Sequence, residues 1–215
     1  MNMEKRKQSA GEELSNAISH GITTVGAVGG GMLIILSAIH SDVEWSLFSA
    51  LIYSLSLVAL YTFSTLYHSI RNINAKRIFK ILDHCGIFLL IAGTYTPVVL
   101  ISIGGTTGWV FFAIQWSMAL IGISLKVFFT GKYNLLSTLL YAVMGWIIIF
   151  KIDLVKAVLP APAFWLLVSG GIAYTVGIVF YVIDTRMKYA HFIWHLFVMA
   201  GSVLHFIMIS RYIFH

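Results

Sequence analysis

Seven uncharged or nearly uncharged runs divide almost the whole chain. They cover residues 20–40, 45–69, 80–102, 108–129, 134–150, 161–183 and 189–212. A membrane-crossing helix uses ~20 apolar residues, so seven of them take ~140 of the 215 present. Only 10% of the residues are charged and 59% are apolar, where a soluble domain carries about 25% charged residues. A small water-soluble domain has too little interior to hide that much apolar side chain. A soluble enzyme, a disordered chain and a secreted disulfide scaffold are thereby excluded. The expected fold is all-α: one polytopic bundle of seven transmembrane helices spanning residues 1–215, multi-pass in the cell membrane.

The polar connectors are short, so consecutive spans are expected to be antiparallel neighbours. They are Ser41 to Glu44, Arg71 to Lys80, Gly104 to Thr107, Gly131 to Asn134, Lys151 to Pro162 and Thr185 to Lys188. Cys85 is the only cysteine, which rules out an intramolecular disulfide and a cysteine-based zinc cluster. No signal-peptide cleavage pattern follows the first run, which reads as a retained span. The net charge of +6 reflects topology rather than nucleic-acid binding, because the basic residues sit between the runs. Lys5, Arg6, Lys7, Arg71, Lys76, Arg77, Lys80, Lys126, Lys132, Arg186 and Lys188 fall on one side, against Lys151, Lys156 and Arg211 on the other. This bias predicts a cytoplasmic N-terminus and an outside C-terminus, the reverse of rhodopsin-like receptors. Trp45, Trp109 and Trp165 then form an aromatic belt at the outer ends of spans two, four and six.

Gly26, Gly29, Gly30 and Gly31 are expected to let the first helix pack closely against a neighbour. Pro97 is expected to kink the third span.

Ionisable groups inside a membrane are costly, so each calls for a reason. His20 and Asn16 lie at the start of span one, His68 ends span two, Asp83 and His84 open span three, and His191 and His195 open span seven. Asp83 is the only acidic residue placed within a span. With alternating spans, these groups from four helices fall in one inner layer. His191 and His195 are four residues apart, on one helix face, a spacing that lets two imidazoles bind one metal ion. His68 would complete a three-histidine zinc site whose fourth position stays open, the catalytic form of zinc. Asp83 can hold or deprotonate a water there, or orient a ligand histidine. Ser64, one turn before His68, can hydrogen-bond the water or an oxyanion.

A histidine alone in a membrane helix is usually a hydrogen-bonded packing residue, so the argument rests on the co-location. His40 and His215 read as solvated groups at the outer side. His205 lies ~21 Å along the helix from His191 at ~1.5 Å per residue, too far to join, and reads as a buried hydrogen-bonded residue. His84 points ~100° away from Asp83, and Cys85 has no partner in a ligand pair.

The segments Glu13 to Gly21, Ser64 to His68, Leu82 to Ile87, Gly93 to Pro97 and His191 to His195 resemble the bacterial hemolysin III family. That family is grouped with the progestin and adipoQ receptors and, more distantly, the alkaline ceramidases. The resemblance runs along nearly the whole chain. It implies a seven-helix fold with a cytoplasmic N-terminus, zinc held by His68, His191 and His195, Asp83 contacting it through water, and Ser64 nearby. In the related ceramidases such a site hydrolyses a lipid amide, and for the bacterial branch the resemblance implies haemolysis or membrane lipid homeostasis. A short N-terminal tail leaves little surface for a protein hormone.

Three functions compete. The first is a zinc-dependent intramembrane hydrolase of a lipid amide or ester, with membrane lipid as substrate. In the second, a sensor or regulator, zinc merely ties spans two and seven together. The third, a pore-forming cytolysin, fits poorly, since pore formers are usually soluble before insertion and no charged, water-lining stripe runs through these spans.

Overall fold

The structure is a computed structural model that describes residues 6, 8–129 and 133–214. Lys5, Lys7, Lys132 and His215, used above in the charge count and the histidine survey, lie outside the described residues. Among the described residues, seven helical segments are long and apolar enough to cross a membrane. They are built from α1 (Ala10–Ile39), α2 (Ser46–Ser69), α3 (Ile73–Pro97), α4 (Gly105–Phe129), α5 (Asn134–Trp146), α6 (Ile152–Val158), α7 (Ala161–Val182) and α8 (Ala190–Tyr212). Short helix α6 extends α5 through a 3₁₀ turn at Ile147–Lys151, and together they make the fifth span. No strand occurs among the described residues.

Three boundaries differ from the sequence reading, and local capping explains two. Ser9 Oγ accepts from Glu12 N while Glu12 Oε2 accepts from Ser9 N. This capping box starts α1 at Ala10 instead of residue 20, so Glu12 and Glu13 join the first span, and Asp83 in the third is not the sole acidic residue within a span. Asn72 Oδ1 accepts from the backbone of Asn74 and Ala75 at 3.1 Å, starting α3 at Ile73 and carrying Lys76, Arg77 and Lys80 onto the helix. The fifth span runs on to Val158, so Lys151, Asp153 and Lys156 are helical and the connector shrinks to the residues around Pro160.

Helix α2 packs extensively on α1 and α3, α7 on α8, and α8 closes back on α1, while α5 is held more lightly by α3, α4 and α7. Polar ties cross these contacts. Tyr61 donates to Ser202 Oγ at 2.7 Å and Tyr174 shares that hydroxyl at 2.8 Å, linking α2, α7 and α8. Gln115 Nε2 donates to the Met144 carbonyl at 2.8 Å, linking α4 to α5. Trp45 and Trp109 meet edge to face at 5.0 Å, and Trp165 is exposed at the rim, as side chains of an interfacial belt would be. Pro97 changes the helix rather than simply bending it. Lacking an N–H, it ends the α-helical ladder of α3, and Val98–Ile103 continue as a wider π-turn closed by Gly104 N to Val99 O at 3.0 Å.

Only part of the glycine run packs. A Cβ on Gly30 would meet Phe206, and one on Gly31 would meet Ser54. Gly26 and Gly29 have nothing within 4 Å; they lie on the outward face that carries Ile18, Ile22, Val25 and Leu36. Gly108 is the tightest approach of α4 to the π-turn, since a Cβ there would strike the backbone carbonyl of Val99. Gly108→Ala is therefore expected to destabilise by ~1–3 kcal/mol and lower the thermal midpoint in detergent. Gly29→Ala, measured alongside, should leave the midpoint unchanged or slightly raised.

Candidate metal centre

The end of α2 and the first turns of α8 meet where His68 faces His191 and His195. Ring centroids are 5.3 Å apart for His68 and His191, 5.1 Å for His68 and His195, and 4.8 Å for His191 and His195. One nitrogen of each ring lies within 4.8 Å of the other two, so the three can hold a metal ion. His68 and His195 are buried, and His191 is half-buried.

A second nitrogen aims each ring. His68 Nδ1 donates to Glu13 Oε2 at 2.8 Å, and Lys76 Nζ donates to the other oxygen of that carboxylate at 3.0 Å. His191 Nδ1 donates to Asp184 Oδ2 at 3.0 Å. His195 Nδ1 lies 3.5 Å from Ser19 Oγ, which itself donates a hydrogen bond to the Asn16 carbonyl. A carboxylate or hydroxyl on Nδ1 selects the tautomer that leaves Nε2 as a lone-pair donor. His68 Nε2 is buried with no hydrogen-bond partner. An unpaired buried acceptor is costly, and a metal ion would satisfy it. Three imidazoles held from behind, with one nitrogen of each within 4.8 Å of the other two, fit a metal ion.

The first turn of α1 organises this arrangement. Arg6 donates to both oxygens of Glu12 at 2.6 and 2.7 Å, and to the carbonyls of Asp184 and Met187 at 3.2 and 3.1 Å. Hydrogen bonding to Glu12 lifts the Arg6 pKa above its ordinary value, keeping the guanidinium charged. Glu12 Oε1 also accepts from Tyr189 N at 2.8 Å. Tyr189 sits at φ +58° immediately before α8. Glu12 thus caps the helix that carries His191 and His195, and Glu13 aims His68.

Ser64 and Asp83 line the same cavity as His191, His195 and His20. Ser64 Oγ is fully buried and unpartnered, and Asp83 is half-buried. The orienting role considered for Asp83 falls to Glu13 and Asp184. His20 stacks on His195 at 3.6 Å with both ring nitrogens unpaired, and is outside the trio that could hold a metal ion. Asn16 Nδ2 donates to Gln8 at 3.0 Å. His84 turns its Nδ1 to the Lys80 carbonyl at 2.6 Å, and His40 does the same to Leu36 at 2.8 Å on the exposed surface. Cys85 is buried and free. His205 is buried and bonded to the Leu167 carbonyl at 3.0 Å, as expected. Glu13 and Asp184 are the site residues that sequence reasoning passed over. The Ser9-x-x-Glu12 pattern signals a helix start that would have put Glu13 on α1; nothing local marks Asp184, seven residues before His191.

The cavity measures about 330 Å³ and runs from His20, His191 and His195 past Leu90, Val98 and Trp194 to Ile152 and His205; His68 is not part of its lining. Away from the histidine end its wall is almost wholly apolar, which suits a ligand with a polar head and an apolar chain.

The sequence model of the family described as haemolysin-III related matches residues 8–206. Hemolysin-3 of Bacillus cereus is 40% identical over 211 residues, covering 98% of this chain and 96% of that protein. A Hemolysin-3 homolog of Bacillus subtilis (strain 168) is 41% identical over 201 residues, 94% of each chain. The human monocyte to macrophage differentiation factor is 28% identical across 97% of this chain and 87% of its own length. With the family pattern spanning all seven helices and two full-length bacterial relatives at this identity, the chain belongs to the haemolysin-III related family of multi-pass membrane proteins.

Proposed function

We propose that this protein is a zinc-dependent intramembrane hydrolase of a lipid amide or ester, serving membrane lipid homeostasis. The observation that carries the reading is the three-histidine cluster at one end of an apolar cavity, which two of its members, His191 and His195, line together with Ser64 and Asp83. His68, His191 and His195 would hold the zinc. Structural zinc is usually enclosed by four protein ligands, whereas three ligands facing a cavity is the catalytic pattern. That favours the enzyme over a regulator whose zinc only ties α2 to α8. Such zinc supplies Lewis acidity, lowering the pKa of water and polarising a carbonyl.

The chain's own groups supply the rest. The apolar wall takes the acyl chain and keeps bulk water from the reacting carbonyl. Asp83 accepts a proton from the attacking water as its oxygen bonds to the carbonyl carbon, and returns it to the amine or alkoxide as the carbon–nitrogen or carbon–oxygen bond breaks. Ser64 donates a hydrogen bond to the oxygen that gains negative charge. Glu13 and Asp184 stay bound to their histidines throughout and hold the rings in place. We also propose that the N-terminus is cytoplasmic, which the excess of Lys and Arg at that end supports.

Elemental analysis of purified protein should find one zinc per chain, lost in His195→Ala. Asp83→Asn should keep the zinc and its fold while hydrolysis of lipid amides or esters falls ~10²–10⁴-fold. Retained zinc with unchanged hydrolysis and unchanged cellular lipids would leave only the structural role. Glu13→Gln keeps the volume of the side chain but weakens its hold on His68, and zinc affinity should drop ~10–100-fold in competition with a chelator. For topology, Asp42→Cys in a Cys85→Ser background should react with an impermeant maleimide on intact cells, and Lys188→Cys only after lysis. The opposite pattern would invert the proposed orientation.

A further inference from the structure

His205 is a buried titratable group that the proposed chemistry does not use. It lies ten residues beyond His195 on α8, ~15 Å along the helix at ~1.5 Å per residue, and it lines the same cavity. The residue is only 8% exposed. Nε2 lies 3.0 Å from the Leu167 carbonyl. A carbonyl can only accept, so Nε2 carries the proton, and in the neutral ring Nδ1 is then a bare acceptor. Nδ1 has no hydrogen-bond partner.

The fold makes room for this orientation. Gly170 on α7 stands directly against the imidazole, where a Cβ would collide with Cδ2 and Nε2. The edge of the ring carrying Nε2 is thus held on α7, which turns Nδ1 away from that helix. Tyr174, the nearest aromatic neighbour at 5.6 Å, already shares its hydroxyl with Ser202. A purely apolar chain filling this end of the cavity would leave Nδ1 unsatisfied, which costs about 1–3 kcal/mol for a buried polar group.

We infer that the cavity has a second polar recognition point at His205, which accepts a hydrogen bond from a hydroxyl carried on the ligand's apolar chain, far from the end lined by His191 and His195. This rests on the reading of the cavity as a lipid site and adds a substrate class to it: lipids with a hydroxylated chain.

The test compares the binding of saturated fatty acids with that of ω-hydroxy fatty acids of the same length, across a range of lengths. Purified protein is used, and quenching of Trp146 and Trp194, which line the cavity, is the readout. At the length that reaches His205 the ω-hydroxy acid should bind wild type about fivefold more tightly, the equivalent of ~1 kcal/mol for one net hydrogen bond. The preference should vanish in His205→Phe, which keeps a ring without an acceptor. It should also vanish in Gly170→Ala, which keeps the histidine but displaces it; if His205→Phe does not fold, Gly170→Ala carries the comparison alone. Equal affinity of wild type for both acids at every length overturns the subsite and leaves the lipid cavity standing. A preference that survives in the folded variants also overturns it. If neither acid binds wild type, the subsite and the lipid reading of the cavity fall together.

Discussion

Two adjacent carboxylates in the first turn of α1 tie together the elements that form the candidate metal centre. Glu12 accepts from Arg6, from Ser9 and from Tyr189 N at the start of α8. Glu13 accepts from His68 on α2 and Lys76 on α3. Where little water competes for these partners, each bond is worth more than it would be on a soluble surface, and an unpaired carboxylate would be expensive. The acidic pair is tolerated near an apolar slab because every oxygen is engaged. In return it sets the depth of α1 against α2, α3 and α8. It therefore fixes where three imidazoles from two helices converge.

The rest of the bundle divides into a tight part and a loose part. Helices α1, α2, α3 and α8 bring glycine, serine and tyrosine contacts close, as at Gly31 with Ser54 and Tyr61 with Ser202. Between membrane helices such close approach replaces the hydrophobic drive that water would supply. Helix α5 is held more lightly, and beside it the cavity lies open in the interior. The rigid half carries the residues that need exact placement, and the loosely packed half borders the space a lipid chain would enter. The π-turn after Pro97 widens α3 on this side, and Val98 within it forms part of the cavity wall.

The seven spans, their antiparallel order and the membrane class were legible in the sequence, because a bilayer demands long uncharged helices and leaves a clear periodic record of them. The histidine trio was legible too. His191 and His195 share a helix face by spacing alone, and counting spans places His68 at the same depth. Helix starts were less legible. Polar first turns resemble loops in a hydropathy reading, so α1 and α3 begin earlier than expected, at Ala10 and Ile73. Gly26 and Gly29 read like packing residues, yet they face outward, because which side of α1 meets α2 depends on the neighbours rather than on small residues alone.

What the amino-acid sequence determined by itself was the class of fold, the layer in which the polar groups gather and the identity of the three imidazoles. The physical reason is that the bilayer penalises every misplaced charge, so the few polar residues can be read as signals. Tertiary structure decided what those groups do to one another. Glu13 and Asp184 orient His68 and His191 across 55 and 7 residues of chain, His20 stacks on His195 without joining the trio, and His205 reaches the far end of the same cavity. These pairings depend on the rotation of each helix about its axis, which is set by side-chain packing between helices and is not recorded in any one of them.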